Sequence, residues 1–202
     1  MLELMLTDDE IGHAGRYVEE LRLSVHELDV PSNSRTRAAG SCFAIAQEHH
    51  HAIVLLIEWK LFAAAFALIR IEFEAYVRGE WLSQCASDSL VEAFLQGKEP
   101  PKIDCLLAEL EMLDTFKERV LSQIKQKTWK SMCAYTHTGG LHVQRWNTED
   151  GIEANYSRDE VLEVLKFAEI IASLAVVGVA HLAADDELAV RILEAFKRRV
   201  QA

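Results

Sequence analysis

Proline and glycine are scarce in this chain of 202 residues, at three and nine. Both disfavour helix interiors, whereas the abundant Ala, Leu and Glu favour them, so the composition points to helix over sheet. Cysteine is sparse and scattered. Cys42, Cys85, Cys105 and Cys133 form no Cys-x-x-Cys pair and read as reduced thiols of a cytoplasmic protein, not a disulfide frame. Positive charge is also short, and the net of −11 does not draw nucleic acid or anionic lipid to the chain as a whole. The opening MLELMLTDDEIGHAG lacks a basic segment followed by a long apolar one, so no signal peptide is expected. Ala52 to Ile69 is apolar but carries Glu58 and Lys60. Ile170 to Ala184 is short and holds His181. Both read as core helices rather than membrane spans. No Gly-x-Ser-x-Gly elbow occurs, and Gly139-Gly140 is too brief for a phosphate loop. No cofactor, nucleotide or membrane partner is expected.

What is present is helical periodicity. Thr7-Asp-Asp-Glu10 has the form of a capping box and predicts a helix from about Asp8 to Leu28. Pro31 to Ser34 break the pattern, and a second helix is expected from about Arg37 to Glu58. Trp59 and Lys60 mark a tight turn or a kink. Leu61 to Cys85 reads as the central helix, apolar on nearly every side in its first half. Ser87 caps a short helix that Gly97 ends, and Pro100-Pro101 opens another to about Met112. A helix from Leu113 or Thr115 to Cys133 carries Lys117, Arg119, Lys125, Lys127 and Lys130. That run reads either as a solvated face or as a local basic patch. Residues 135–156 are the least helix-like and predict a long loop. Ser157-Arg-Asp-Glu160 is a second capping box, opening a helix to about Ala183. A last amphipathic helix is expected from Asp185 to Val200. The whole predicts one all-α domain over residues 1–202, an up-and-down bundle of about five long helices with shorter ones between. Apolar faces on so many helices also predict a homodimer.

The central helix carries a polar stripe, Arg70, Glu74 and Trp81, at spacings of four and seven. Burying Arg and Glu is costly unless they pair or act. Arg presents planar donors suited to phosphate or carboxylate, and His moves its proton near neutral pH. If the loop folds back, Arg70, Glu74 and His137 form a catalytic group. Trp81, Tyr135, Thr136, Gln144 and Lys130 would then be its substrate-binding surroundings. The alternative is an ion pair that only fixes helix packing. Glu10-x-x-His13 and Glu48-x-x-His51 have the form used by di-iron bundles, but they fall on the first two helices only, and Glu10 is claimed by the capping box. No native metal site is expected. Cys133, four residues before His137, could also form a Cys–His dyad.

Leu68-Ile-Arg-Ile-Glu-Phe-Glu-Ala-Tyr-Val-Arg-Gly-Glu-Trp-Leu82, followed by Tyr135-Thr-His-Thr-Gly139, resembles a set of uncharacterised bacterial helical proteins. They carry an Arg-x-x-x-Glu helix and a later Tyr/Phe-x-His loop. That set is similar to the HEPN superfamily of all-helical, often dimeric bundles, which includes RNases of toxin–antitoxin and phage-defence systems. The resemblance spans roughly residues 40 to 180 and implies RNA as a partner. HEPN nucleases carry an Arg and a His on one helix, with roughly four to six residues between them. The nearest match here, Arg22-Leu-Ser-Val-His26, has three. What the resemblance carries over is therefore Arg70, Glu74 and His137.

Overall fold

A computed structural model describes residues 6–201, the side chains of the last two excepted. The first five residues, part of the segment read as lacking a signal peptide, lie outside it, as does Ala202. The described residues form helices and no strand: α1 (Asp8–Ser24), α2 (Ser34–Glu58), α3 (Phe62–Gln84), α4 (Asp88–Leu95), α5 (Ile103–Leu110), a 3-10 turn (Asp114–Phe116), α6 (Val120–Thr136), α7 (Gly140–Gln144), α8 (Arg158–Leu182) and α9 (Asp186–Gln201). The chain is an all-α helical bundle. None of the described helices is long and apolar enough to cross a membrane.

Both capping boxes form. Thr7 accepts from the Glu10 amide while the Glu10 carboxylate takes the Thr7 amide, and Ser157 and Glu160 do the same. Arg158 then binds Glu10 with both terminal nitrogens, at 3.1 and 2.6 Å, tying the start of α8 to the start of α1. α1 ends at Ser24, four residues before the expected Leu28. The Ser24 hydroxyl donates to the Leu21 carbonyl at 2.7 Å, and Glu27 turns the chain at φ 60°. Trp59–Leu61 is a turn rather than a kink, with Lys60 at φ 58°.

α2 and α3 form the most extensive contact, with α8 packed on both. Phe43 of α2 fits between two glycines. A Cβ on Gly79 of α3 or on Gly178 of α8 would lie 2.5 Å from its ring. The bare glycines let three backbones close around one aromatic, and the surrounding core includes Phe73, Trp81, Leu82 and Ile171, each no more than 1 % exposed. A second core cluster, around Phe66, Met132 and Leu165, packs α6 against α3 and α8.

Two expectations need correction. The basic helix does not begin at residue 113 or 115. Arg119 at φ 55° breaks it, so Lys117 and Arg119 precede α6. The stretch 135–156 is not all loop either. Tyr135 and Thr136 close α6, and Gly140–Gln144 forms the short α7.

Candidate functional site

α3 and the end of α6 bring together residues that lie 67 apart in sequence. Arg70 Nη1 lies 2.6 Å from His137 Nε2. Arg70 Nε donates to Glu74 Oε1 at 2.8 Å, and Arg78, one turn further along α3, pairs with the other oxygen of Glu74. Trp129 of α6 lies beneath the Arg70 guanidinium at 4.7 Å, with Lys125 4.8 Å from the same ring. Lys125 in turn pairs with Asp104 at 2.8 Å.

Local structure explains the placement. His137 is the C-cap of α6, its amide bonded to the Cys133 carbonyl at 3.0 Å. Thr138 then reverses the chain at φ 53°, and the Gly139 amide reaches the Ala134 carbonyl at 2.7 Å. A Cβ on Gly139 would meet Ala134 Cα at 3.1 Å, so a side chain there would force Ala134 to give by a few tenths of an ångström. Thr136 Oγ1 donates to the Ala67 carbonyl at 3.1 Å and pins this end of α6 to α3. The Thr-His-Thr-Gly run is thus a helix terminus docked on α3.

The cluster is neither sealed nor fully open. The side chains of Arg70, Glu74 and Arg78 keep 21, 14 and 30 % of their exposure, and His137 is exposed. Two guanidiniums share one carboxylate, so it carries one surplus positive charge in an acidic chain. Arginine has donors only, so in this contact His137 Nε2 is the acceptor and Arg70 the donor. An anion that draws Arg70 away would free that lone pair for a proton.

The remaining candidates divide. Tyr135 is buried, edge-on to Phe66 with centroids 5.0 Å apart. Its carbonyl accepts from His142 Nδ1 at 2.8 Å. Trp81 is 1 % exposed and gives its indole N–H to Glu109 at 2.6 Å. It lies 11 residues from Arg70, about 16 Å along the helix axis. Lys130 and Gln144 are exposed, on α6 and α7. Cys133 is partly buried and free. Two participants escaped the sequence reading, Arg78 and Trp129, while Lys125 was read only as part of the basic run. The signal for Arg78 was available, since it stands four residues after Glu74 on the same face.

Among the described residues no three His, Cys, Asp or Glu side chains are grouped to hold a metal ion. Glu48 and His51 are exposed on α2. Glu10 is bound by Arg158 and then by the Thr7 amide, which hold its carboxyl down at about 2.

Residues 43–201, which include the whole α3–α6 cluster, match the model of a family of unknown function, DUF6988. The chain belongs to that family. No curated protein and no solved structure matches it. In this DUF6988 chain the matched region starts at Phe43, the residue on which α2, α3 and α8 converge. It leaves out α1 and the first part of α2.

Proposed function

We propose that this DUF6988 protein is a HEPN-like RNA-binding and RNA-cleaving protein that acts at the α3–α6 cluster. The Arg70–His137 contact on a half-open face, with Arg78 as surplus cation, carries the reading. A backbone phosphate takes the guanidiniums, and Glu74 holds both arginines in register. Arg70 leaves His137, whose Nε2 accepts the proton of the ribose 2′-hydroxyl. The 2′-oxygen attacks phosphorus, the bond to the 5′-oxygen breaks, and that oxygen takes a proton from water. Lys127 and Lys130, exposed on α6, extend the anion-binding face. The resemblance to HEPN bundles supports the same reading and suggests a bacterial defence or stress system.

Cleavage of single-stranded RNA by the purified chain, with and without EDTA, tests it. EDTA should leave the rate unchanged. Arg70→Ala and His137→Ala, each checked for native helix content, should lower it by about 100-fold or more. Absence of cleavage, or cleavage that both variants retain, overturns the reading.

One observation favours a second reading, a non-catalytic homodimer in which Arg70 and Glu74 only fix packing. Ser41, Ile45, Glu48, Ala52, Leu55 and Trp59 follow the four-three spacing of a coiled-coil seam on the outer side of α2. Ile45, Leu55 and Trp59 are 47, 44 and 74 % exposed. In that reading this seam pairs with its copy in a second chain.

A further inference from the structure

Of the two Glu-x-x-His motifs, one is left without a structural task. Glu10 of the first is held by Thr7 and Arg158. Glu48 and His51 of the second stand exposed one turn apart on α2, and neither is hydrogen-bonded or ion-paired among the described residues. A single chain does not complete a metal site around them, since no third His, Cys, Asp or Glu side chain of the described residues is grouped with them.

The seam that contains Glu48 is self-complementary when a second α2 crosses it antiparallel at His50. Positions equally far from His50 then meet. Ile45 meets Leu55 of the second copy, Ser41 meets Trp59, and Ala52 meets Glu48, so each large side chain faces an apolar or a small one. His50 itself is buried on the inner side of α2 and stays out of the seam. Parallel pairing would instead set Glu48 against Glu48 and Trp59 against Trp59.

Charge says what holds the crossing together. His51 flanks the seam beside Glu48. In the antiparallel register it lies within one residue of the level of Glu48 in the second copy, about 1.5 Å along the axis. The crossing therefore gathers two carboxylates and two imidazoles around one two-fold axis. The carboxylates repel, in chains that each carry a net of −11. A cation bound by all four side chains turns that repulsion into attraction. Two histidine nitrogens and two carboxylate oxygens form a zinc donor set, and four ligands close its tetrahedron.

We infer that α2 pairs antiparallel with a second copy of this chain, and that Glu48 and His51 of both copies hold one zinc ion on the two-fold axis. The site rests on the seam of the second reading above. Neither ligand belongs to α3 or α6, so it stands apart from the Arg70 cluster.

The test is sedimentation equilibrium of the full chain, stripped with EDTA and then titrated with zinc chloride, with the bound zinc measured. One zinc per two chains is expected, with the dimer dissociation constant lowered by at least about 100-fold. Glu48→Gln and His51→Ala change exposed helix positions, so the fold tolerates them, and each should abolish the zinc response. His49→Ala, on the opposite flank of the seam, should keep it. Leu55→Lys with Trp59→Lys leaves all four ligands in place but parts the helices, and should weaken zinc binding by at least about tenfold. Zinc bound one per chain without dimerisation is adventitious and overturns the site, as does a zinc response that Glu48→Gln and His51→Ala retain. A dimer indifferent to zinc and lost in the double lysine variant keeps the seam and overturns the metal. A monomer at every zinc concentration overturns both. None of these outcomes depends on RNA cleavage.

Discussion

Glu72 and Glu80 stand two turns apart on the buried side of α3, with Tyr76 between them. Neither oxygen of Glu72 has a hydrogen-bond partner, and complete burial pushes its carboxyl well above the ordinary range. Glu80 accepts from Gln84 at 2.5 Å, yet burial still raises it to about 7. Below the unfolded value of 4.5 both states of each acid are protonated, and no stability is lost. Above 4.5 the unfolded chain releases a proton that the folded chain keeps, so stability falls as pH rises. For Glu80 the fall ends at about pH 7 and amounts to on the order of 3 kcal/mol. For Glu72 it continues further. Glu80→Gln should therefore flatten the stability profile between pH 4.5 and 7, read by urea unfolding across that range. Glu72→Met should stabilise the protein at pH 7.5 by roughly 1–4 kcal/mol, and by less at pH 5. An equal gain at both pH values would mean that Glu72 is not protonated in the folded state. These acids could have been read from the sequence: Glu72 lies three residues after Ile69 and four before Tyr76, in the middle of the apolar stripe.

Among the elements, those with a terminal signal were legible and those set by backbone reversal were not. Both capping boxes place their helix starts to within a residue, because side chain and amide satisfy each other locally. The position of the break between α2 and α3 was legible at Trp59 and Lys60, where the apolar run is interrupted, but the sequence left a turn and a kink both open. The gap before α6 and the helix α7 were missed. The first depends on Arg119 adopting a left-handed conformation that no residue type announces. The second depends on how Gly139 packs on Ala134. The Arg70–His137 pairing was anticipated from motif resemblance, and its cause proved to be the docking of a helix terminus. The three-helix junction at Phe43 gave no signal beyond two isolated glycines. Gly178→Ala should cost roughly 1–3 kcal/mol, because its Cβ would press on the ring, and a smaller side chain at that point should relieve the clash. Thermal unfolding of Gly178→Ala alone and combined with Phe43→Leu tests the junction. The double variant should lose less stability than the sum of the two single changes. Strict additivity would show that the ring and α8 are not in contact.

For the molecule as a whole, the net charge of −11 opposes both proposed partners, since RNA is an anion and so is a second copy of this chain. Salt separates the two readings because it acts on them with opposite sign. RNA bound through Arg78, Lys127 and Lys130 would neutralise roughly three phosphates and release their counterions. Its affinity should fall roughly 40-fold between about 50 and 300 mM salt. Pairing through the α2 seam would rest on Ile45, Ala52, Leu55 and Trp59, with Glu48 also facing the second copy, and the repulsion between two acidic chains is long-range. Screening should therefore strengthen the dimer over the same interval. Sedimentation equilibrium and RNA filter binding on one preparation measure both. Leu55→Lys with Trp59→Lys should convert a seam dimer to monomer without loss of helix, since both side chains lie outside the core. If the double variant still binds RNA with the same salt dependence, the α3–α6 face works in a single chain. If RNA binding is lost with the dimer, the nucleic acid bridges two copies of the cluster, and the seam is part of the site.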